Sequence, residues 1–270
     1  MLTFYKYHGL GNDFLIIPKK EIKDKDIYTI TRKLCNRHFG IGADGIILAD
    51  GLSMQIYNAD GSYAQMCGNG IRCYAKYCYD EGICRKTSYK IKCGNQNIPV
   101  HLLSIDPFMI RVDMGIPFFD ANAIGVRKDL YRLPYPFLLK DGIVLEGYSF
   151  FMTNPHTVIF VDRLQEDKII EWGDQICHHP LFQDGTNVDF VQILNSSTLA
   201  VRTYERGVGL SLSCGSGACA AFVASHQFKN TSPMMNVLFL KGELGVILEE
   251  EHIHMVGSAS RIGKGEYDGI

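Results

Sequence analysis

Two short cysteine turns are the groups in this sequence best placed to do chemistry. Cys67-Gly68-Asn69-Gly70 and Cys214-Gly215-Ser216-Gly217 each follow a strand-like segment and precede a segment with helical spacing. Glycines let the backbone approach a ligand closely, Asn and Ser suit helix caps, and a first helical turn offers N–H groups that lack helical partners. The repeat therefore predicts two copies of one functional turn.

Such a turn has two chemical consequences. The N–H groups and the positive end of the helix dipole attract a carboxylate, and the same field is expected to lower the pKa of the thiol. If both turns flank one carbon, one cysteine removes the α-hydrogen as thiolate while the other returns a proton to the opposite face as thiol. The pair Cys67 and Cys214 thus indicates an amino-acid racemase that needs no pyridoxal cofactor and no metal.

Three other interpretations of the cysteines remain open. They could be buried residues in tight glycine turns, as free cysteines often are. A hydrolase could use Cys67 with His156, although Cys214 then has no role. A thiol redox or metal-binding protein is the third, but the best local metal candidate, Cys177-His178-His179, consists of adjacent ligands, which chelate poorly.

Polar residues at the ends of apolar runs are the candidates for substrate binding. Amides offer a donor and an acceptor, and Arg grips a carboxylate with two donors, so such residues suit a zwitterion. The candidates are Asn12, Asn58, Asn154, His156, Asn187, Glu205 and Arg206. Any one Asn could instead be a turn former, Glu205 and Arg206 could form a surface ion pair, and His156 could be a core histidine.

The elements that must position these residues are mostly strands. Alternating apolar and β-branched residues predict strands at 2–7, 13–17, 46–49, 53–58, 88–92, 98–103, 109–114, 145–152, 157–162, 188–194, 199–204, 235–240, 244–248 and 253–257. Helical spacing predicts helices at 25–37, 69–81, 166–177 and 216–228. A helix directly after each cysteine predicts a mixed α/β or α+β protein with two similar halves, joined near 115–120.

A glycine motif at 40–45 is not expected to bind a nucleotide. Gly40, Gly42 and Gly45 match the dinucleotide pattern, which requires a strand before the glycines and a helix after them. Here the predicted helix comes first and the strand follows. We therefore predict no nucleotide at this position.

Composition excludes several classes of protein. The chain has 270 residues, of which 46% are hydrophobic and 21% charged, with a net charge of -2. These values describe a folded chain of about two domains rather than a disordered, fibrous or nucleic-acid protein driven by bulk charge. No apolar run is long enough to span a membrane. Nine cysteines without an export signal argue against disulfides, so we expect a cytoplasmic protein.

The sequence resembles the diaminopimelate epimerase family. The resemblance rests on blocks at 8–14, 37–45, 57–73, 154–156, 185–188, 201–209 and 214–218, which follow one another in family order, and on the closing residues 266–270. The two blocks that contain Cys67 and Cys214 are highly specific.

The resemblance implies an α+β fold and a reaction. The fold is two pseudo-symmetric domains, 1–116 with the tail 258–270 and 117–257, each a strongly curled mixed sheet around a central helix, with the active site in the interdomain cleft. The reaction interconverts LL- and meso-diaminopimelate, a step towards lysine and peptidoglycan, without a cofactor. The only partners implied are an amino-acid substrate and, through the tail tyrosine, a second subunit of a homodimer.

The resemblance also implies roles for individual residues. Cys67 and Cys214 become the acid–base pair. The reacting carboxylate is bound by Gly68, Asn69, Gly215 and Ser216. The rest of the substrate is bound by Asn12, Asn58, Asn154, Asn187, Glu205 and Arg206, and His156 and Glu205 adjust the thiol pKa values.

Two positions depart from the family pattern. Leu210-Ser211 replaces a common Glu-Thr after the 201–209 block, and Tyr63 stands where an acidic residue is frequent. Both adjoin the expected site, so a charge lost there could change the substrate. A related cofactor-independent racemase of another amino acid, such as histidine, is therefore the alternative function.

Overall fold

The computed structural model describes residues 1–22 and 25–269, which form two compact units. Unit 1 comprises Met1–Asp113 and the chain from Val256 onward, and unit 2 comprises Met114–Met255. The boundaries predicted at 116/117 and 257/258 lie within three residues of these. Ile270, the end of the predicted tail, lies outside the described residues.

Unit 1 consists mainly of strands, with two α-helices and a short 3-10 turn at Lys19–Ile22. Its elements in chain order are β1 (Leu2–Gly9), β2 (Asn12–Pro18), α1 (Ile27–Cys35), β3 (Gly45–Asp50), β4 (Ser53–Asn58), β5 (Tyr63–Ala64), α2 (Gly68–Asp80), β6 (Ser88–Cys93), β7 (Gln96–Ile105) and β8 (Phe108–Asp113).

Unit 2 has the same mixture, with a 3-10 turn at Asn122–Ile124. Its elements are β9 (Tyr135–Leu138), β10 (Val144–Met152), β11 (Asn154–Phe160), α3 (Glu166–Cys177), β12 (Asn187–Asn195), β13 (Thr198–Glu205), β14 (Gly209–Leu210), α4 (Gly215–Lys229), β15 (Met234–Phe239), β16 (Gly242–Glu249) and β17 (His252–Ser258), whose last residues return to unit 1. The chain then forms β18 (Ser260–Tyr267), which pairs antiparallel with β1.

Strand pairing follows one scheme in both units. In unit 1, β1 is antiparallel to β2, β2 parallel to β3, β3 antiparallel to β4, and β4 antiparallel to β5 and parallel to β6. In unit 2, β10 to β15 repeat these five relations in the same order. The cysteine helix lies in each unit between the two-residue strand and the next parallel strand. The predicted pair of similar halves is confirmed.

The two cysteine helices are the central helices of their units. Ile71, Tyr74 and Cys78 of α2 are fully buried, and α2 packs on β1, β2, β8 and β18. In α4 the run from Ala218 to Ala224 is almost entirely inaccessible, which is typical of a helix surrounded by protein. Small residues fill most of that run, so the strands can approach the helix closely.

The main elements were predictable, but four of the strands were not. All four predicted helices form, within a few residues of the predicted ends, and the glycine motif at 40–45 lies between α1 and β3, as expected. The strands that were not predicted are β5, β9, β14 and β18. The sequence of β18 is SRIGKGEY, which lacks apolar alternation because most of its side chains are accessible. No helix in the described part of the chain is long and apolar enough to cross a membrane.

Candidate active site

Cys67 caps the first turn of α2. Its backbone is extended, with φ -147° and ψ 114°, and its Sγ accepts a hydrogen bond from the backbone N–H of Gly70 at 3.4 Å. The helix begins at Gly68, so the N–H groups of Gly68 and Asn69 belong to a turn in which the helix itself provides no acceptors. The half-buried thiol therefore lies directly beside backbone donors that suit an anion.

Cys214 caps α4 in the same way. Its φ of -119° and ψ of 115° are again extended, and the N–H of Gly217 donates to its Sγ at 3.3 Å. The hydroxyl of Ser216 lies 3.4 Å from the same sulfur. Both copies of the repeated turn thus fold alike, but Cys214 is buried whereas Cys67 is only half-buried.

Burial reverses the expected shift of the Cys214 pKa. The helix N-terminus predicts a lowered value, but burial and the charges of Glu205 and Asp189 raise the pKa of the Cys214 thiol well above its ordinary value. Hydrogen bonds from Ser216 and Gly217 lower it and are outweighed. The prediction was wrong for Cys214 because the spacing of a motif reveals the helix N-terminus and not the carboxylates packed behind it.

Glu205 lies at the end of β13, beside the Cys214 thiol. Burial and the charge of Asp189 raise the pKa of Glu205, and they outweigh the hydrogen bonding with Ser211 and Cys214 and the electrostatic contribution of His156, which lower it. The carboxyl and the thiol therefore influence each other's ionisation. The role of Glu205 in adjusting the thiol pKa during catalysis stays a prediction.

His156 is fully buried on β11 and paired with a carboxylate that the sequence reasoning missed. Its Nδ1 lies 2.7 Å from Oδ2 of Asp189, and Oδ1 of Asp189 accepts a hydrogen bond from the hydroxyl of Thr203 at 2.7 Å. Nε2 of His156 has no hydrogen-bond partner among residues 1–22 and 25–269. Asp189 thus holds the ring through Nδ1, while Nε2 stays available for another hydrogen bond.

The polar residues of unit 2 are held by backbone groups. Oδ1 of Asn187 accepts from the N–H of Arg206 at 2.9 Å, and its Nδ2 donates to the carbonyl of Pro155 at 3.3 Å. The exposed guanidinium of Arg206 donates to the carbonyl of Asp184 at 2.6 Å. Oδ1 of Asn154 is buried with no partner in the described part of the chain. Asn187 and Arg206 therefore lie side by side, and their binding of the substrate stays a prediction.

The polar residues of unit 1 are held by side chains instead. Nδ2 of Asn12 donates to Oδ2 of Asp44 at 2.9 Å, and Oδ1 of Asn12 accepts from Nδ2 of Asn69 at 3.2 Å. Asn12 is therefore linked to Asn69, the third residue of the Cys67 turn. Asn58, at the end of β4, is exposed and donates to the hydroxyl of Ser62 at 3.0 Å.

A network of charged side chains holds Asp44, the hydrogen-bond partner of Asn12. Arg37 donates to Asp44 at 2.8 Å and to Asp13 at 2.7 Å, and Lys6 lies 3.0 Å from Asp13. Burial alone raises the pKa of Asp13, but the hydrogen bonds from Arg37 and Lys6 outweigh it and hold that pKa below its ordinary value. Asp44 and Arg37 were missed as functional residues, although their position in the 37–45 block was a signal.

The match to known proteins covers nearly the whole chain. The model of the diaminopimelate epimerase family matches residues 4–119 and 148–262. The chain belongs to this family. Diaminopimelate epimerase from Caldanaerobacter subterraneus is 37% identical over 99% of this chain and 100% of that protein, and the enzymes from Halothermothrix orenii and Clostridium perfringens are each 38% identical over 98% of this chain and 97% and 99% of theirs.

Solved structures support the α+β epimerase fold. A probable proline racemase from Agrobacterium radiobacter superposes with a TM-score of 0.73 at 12% identity, covering 100% of this chain and 94% of that one. A hydroxyproline epimerase from Agrobacterium vitis gives a TM-score of 0.70 at 12% identity, covering 98% and 90%. At this identity the likeness concerns the fold alone. The curated relatives, which are diaminopimelate epimerases, do not favour the alternative of a histidine racemase.

The departure from the family pattern at Tyr63 has a structural role. Tyr63 pairs with Tyr57 across β4 and β5, and their rings meet edge to face with centroids 5.7 Å apart. The ring also reaches the β6–β7 turn, because a Cβ on Gly94 would lie 2.7 Å from the Tyr63 hydroxyl. Tyr63 therefore braces the segment that leads to Cys67.

Leu210, the second departure, is likewise explained by packing. It belongs to β14, opposite Tyr204, and packs partly buried on the apolar core that includes Phe190 and Ile176. An acidic side chain at this position would not gain from that contact. The residue thus stabilises the strand that precedes the Cys214 turn.

The described residues contain no cluster of three or more His, Cys, Asp or Glu side chains arranged to hold a metal ion. Cys177 is buried at the end of α3, whereas His178 is exposed and donates through Nδ1 to the carbonyl of Asp174. The Cys177-His178-His179 segment therefore does not gather its side chains into one site.

Proposed function

We propose that this member of the diaminopimelate epimerase family interconverts LL- and meso-diaminopimelate with Cys67 and Cys214 as its two bases. The observation that carries the proposal is the repeated cap: each thiol accepts the N–H of the glycine three residues later, at 3.4 and 3.3 Å, at the start of a buried helix. Family membership over nearly the whole chain supports the substrate.

The reaction is a proton exchange that conserves electrons. A thiolate takes the α-hydrogen as a proton, and the electron pair of the C–H bond remains on the α-carbon and spreads into the carboxylate. The opposite thiol gives its proton to the other face of that carbon and becomes the new thiolate. Each turnover leaves the enzyme with its proton on the other cysteine, so catalysis in the reverse direction restores the first state. No electron acceptor is required.

The carboxylate that gains charge is bound, in this proposal, by the first turns of the two helices. The N–H groups of Gly68, Asn69, Gly215 and Ser216 are the donors. Helix N-termini favour an anion, and donors aimed at developing charge stabilise the transition state more than the ground state. The mechanism requires that both thiols reach the same α-carbon in the working enzyme.

The distal amino and carboxyl groups of the substrate are assigned to the polar residues at the strand ends. Arg206 suits the distal carboxylate, because its exposed guanidinium has donors beyond the one used by Asp184. Asn12, Asn58, Asn154 and Asn187 supply donors and acceptors for the remaining polar atoms. Such groups are not needed by a substrate with a small apolar side chain.

Proton NMR in D2O tests this function directly. Purified reduced protein, without pyridoxal phosphate, is given LL-diaminopimelate beside single amino acids that include L-histidine. We expect loss of the α-proton signal from diaminopimelate alone. Exchange only in another amino acid would keep the two-thiol chemistry and reject the substrate, and no exchange with any compound would reject both.

We further propose a cytoplasmic homodimer that acts without a cofactor in the route to lysine and peptidoglycan. None of the nine cysteines forms a disulfide bond, which suits a reducing compartment. Tyr267, the tyrosine of the tail, packs partly buried on the core of unit 1 and leaves part of its ring accessible. Sedimentation equilibrium of the wild-type protein would give the mass of a dimer if this is correct.

A further inference from the structure

The repeat of the fold makes residues of the two units comparable one by one. Phe14 of β2 pairs with the first residue of β3, and His156 of β11 pairs with the first residue of β12. Two residues further along, Ile47 of β3 pairs with Ile56 of β4, while Asp189 of β12 pairs with Thr203 of β13. The pairs correspond in register, yet one set is apolar and the other polar.

Beneath the Cys67 turn the protein is apolar. A Cβ added to Gly70 would meet Cδ1 of Ile56 at 3.4 Å and Cδ1 of Ile47 at 3.6 Å. These are ordinary van der Waals distances to methyl groups. Phe14, which corresponds to His156, is buried as well, so this floor carries no charge and no hydrogen-bonding side chain at these three positions.

Beneath the Cys214 turn the corresponding floor is polar. A Cβ on Gly217 would lie 2.4 Å from Oδ1 of Asp189 and 2.8 Å from the Thr203 hydroxyl. His156, Asp189 and Thr203 are all almost completely buried and joined by hydrogen bonds of 2.7 Å. We call these three residues the polar floor.

We propose that Asp189 is a positioning residue that makes the two catalytic thiols unequal, by fixing the ring of His156 and by placing a buried negative charge behind Cys214. The inference rests on the proposed function for its catalytic meaning, but the contacts that carry it do not depend on the substrate.

The first effect concerns the tautomer of His156. A carboxylate accepts hydrogen bonds and does not donate them, so Oδ2 of Asp189 at 2.7 Å requires a proton on Nδ1 of His156. In the neutral ring Nε2 then carries a lone pair. This atom is buried and has no partner within the described ranges, so it is held ready to accept a hydrogen bond from a group that enters the site.

The second effect concerns the protonation of Cys214. The charged groups that act on its thiol are Glu205 of β13 and Asp189 of β12, and both raise its pKa in addition to the effect of burial. Negative charge nearby disfavours the thiolate. Cys214 therefore stays a thiol in the resting enzyme and is the group that holds a proton to donate.

Alkylation of the cysteines in the Asp189→Asn variant tests this inference without measuring catalytic turnover. The variant keeps the size of the side chain and an oxygen that can accept from Nδ1, but it removes the charge. Iodoacetamide labelling followed by mass spectrometry of the peptides gives separate rates for Cys67 and Cys214 across a range of pH. We expect the rate of Cys214 at neutral pH to rise about tenfold, which equals about one pKa unit, with the rate of Cys67 unchanged.

Two controls separate charge from loosened structure. Cys219 lies in the same helix as Cys214 and is fully buried, so its labelling reports opening of α4. Asp162→Asn removes an exposed carboxylate of the same unit and should leave both rates unchanged. An unchanged Cys214 rate, or one that rises only together with Cys219, would overturn the inference.

A measurement on the wild-type protein covers the case in which Asp189→Asn does not fold. The ring nitrogen shifts of 15N-labelled histidine distinguish the two tautomers, and the signal of His156 is assigned by its loss in His156→Gln. We expect Nδ1 to carry the proton. A bare Nδ1 would overturn the inference. Because neither experiment requires substrate, failure of the proposed reaction would leave both results interpretable.

Discussion

Gly70 and Gly217 occupy the same position in two copies of one turn, but they rest on different surfaces. Gly70 rests on the methyl groups of Ile47 and Ile56, and Gly217 rests on Asp189 and Thr203. The backbone geometry of the cap is nearly the same in both. A duplicated fold can therefore keep the position of a thiol while changing its ionisation through residues on the strands behind it.

Replacing either thiol should have the largest effect, because the mechanism needs both. We expect Cys67→Ala and Cys214→Ala each to reduce kcat by about 10²–10⁴-fold, because each removes one of two proton-transfer groups. Initial rates with LL-diaminopimelate measure this. Cys84→Ala, which changes a half-buried cysteine outside the turns, should retain wild-type activity. A Cys214→Ala variant that epimerised LL-diaminopimelate at the wild-type rate would mean that Cys214 is not one of two proton-transfer groups.

A pair of glycine variants tests the difference between the two floors. Gly217→Ala should lower the free energy of unfolding by about 1–3 kcal/mol, because its methyl group would overlap Asp189 and Thr203, which are held in place by hydrogen bonds. Gly70→Ala should be neutral or stabilise by up to about 1 kcal/mol, because it meets only methyl groups at normal distances and favours the helix. Urea denaturation compares them. Equal losses of unfolding free energy in the two variants would mean that the residues beneath the two glycines do not differ in rigidity.

The supports of the polar residues differ between the units in a testable way. Asn187 is held by backbone groups, whereas Asn12 depends on the Asp44 carboxylate. Asp44→Ala should reduce kcat/KM by about tenfold, since a hydrogen bond to a charged group contributes about 1.5–3 kcal/mol and part of it is replaced by water. The loss should exceed that in Asp50→Ala, which removes an exposed carboxylate at the opposite end of β3. Wild-type kinetics in Asp44→Ala would show that Asn12 needs no such support.

The smallest expected effects are opposite pH dependences of stability in the two units. The pKa of Asp13 lies below its ordinary value of 3.8, so its contribution is present above that pH and is lost as the pH falls through the folded value. The pKa of Glu205 lies above its ordinary value of 4.5, so its contribution is present below that pH and is lost as the pH rises through the folded value.

Two variants test the directions of these pH dependences. At neutral pH Asp13→Asn should lower the Tm and Glu205→Gln should raise it, and both differences should shrink in acid. Thermal unfolding by circular dichroism over a range of pH measures them. A stabilised Asp13→Asn or a destabilised Glu205→Gln at neutral pH would contradict the assigned causes.

Much of the fold followed from local pattern, and the missed parts have physical reasons. The helices after Cys67 and Cys214 were predictable because the cap residue, the glycines and the helical spacing lie within one short segment. β18 was missed because a strand can be formed by backbone pairing with β1 while most of its side chains remain accessible.

The site was less predictable than the fold wherever it depends on strands that are distant in sequence. Cys214, His156, Glu205 and Arg206 were identified from motifs, but Asp189 lies inside an apolar strand pattern and reaches His156 only after β11 and β12 pair. The raised pKa of Cys214 follows from that same packing. No spacing rule along the chain contains this information.

The fate of the transferred hydrogen tests the central claim, that two thiols act on opposite faces of one carbon, most directly. LL-diaminopimelate is converted in D2O, and NMR measures α-deuterium in the product and in the remaining substrate during the first few per cent of reaction. The two-thiol account predicts a product that has gained solvent deuterium beside substrate that has gained none, because one thiol removes hydrogen and the other delivers deuterium. A product that retains the hydrogen of the substrate would mean that one base performs both steps, and the account would be wrong.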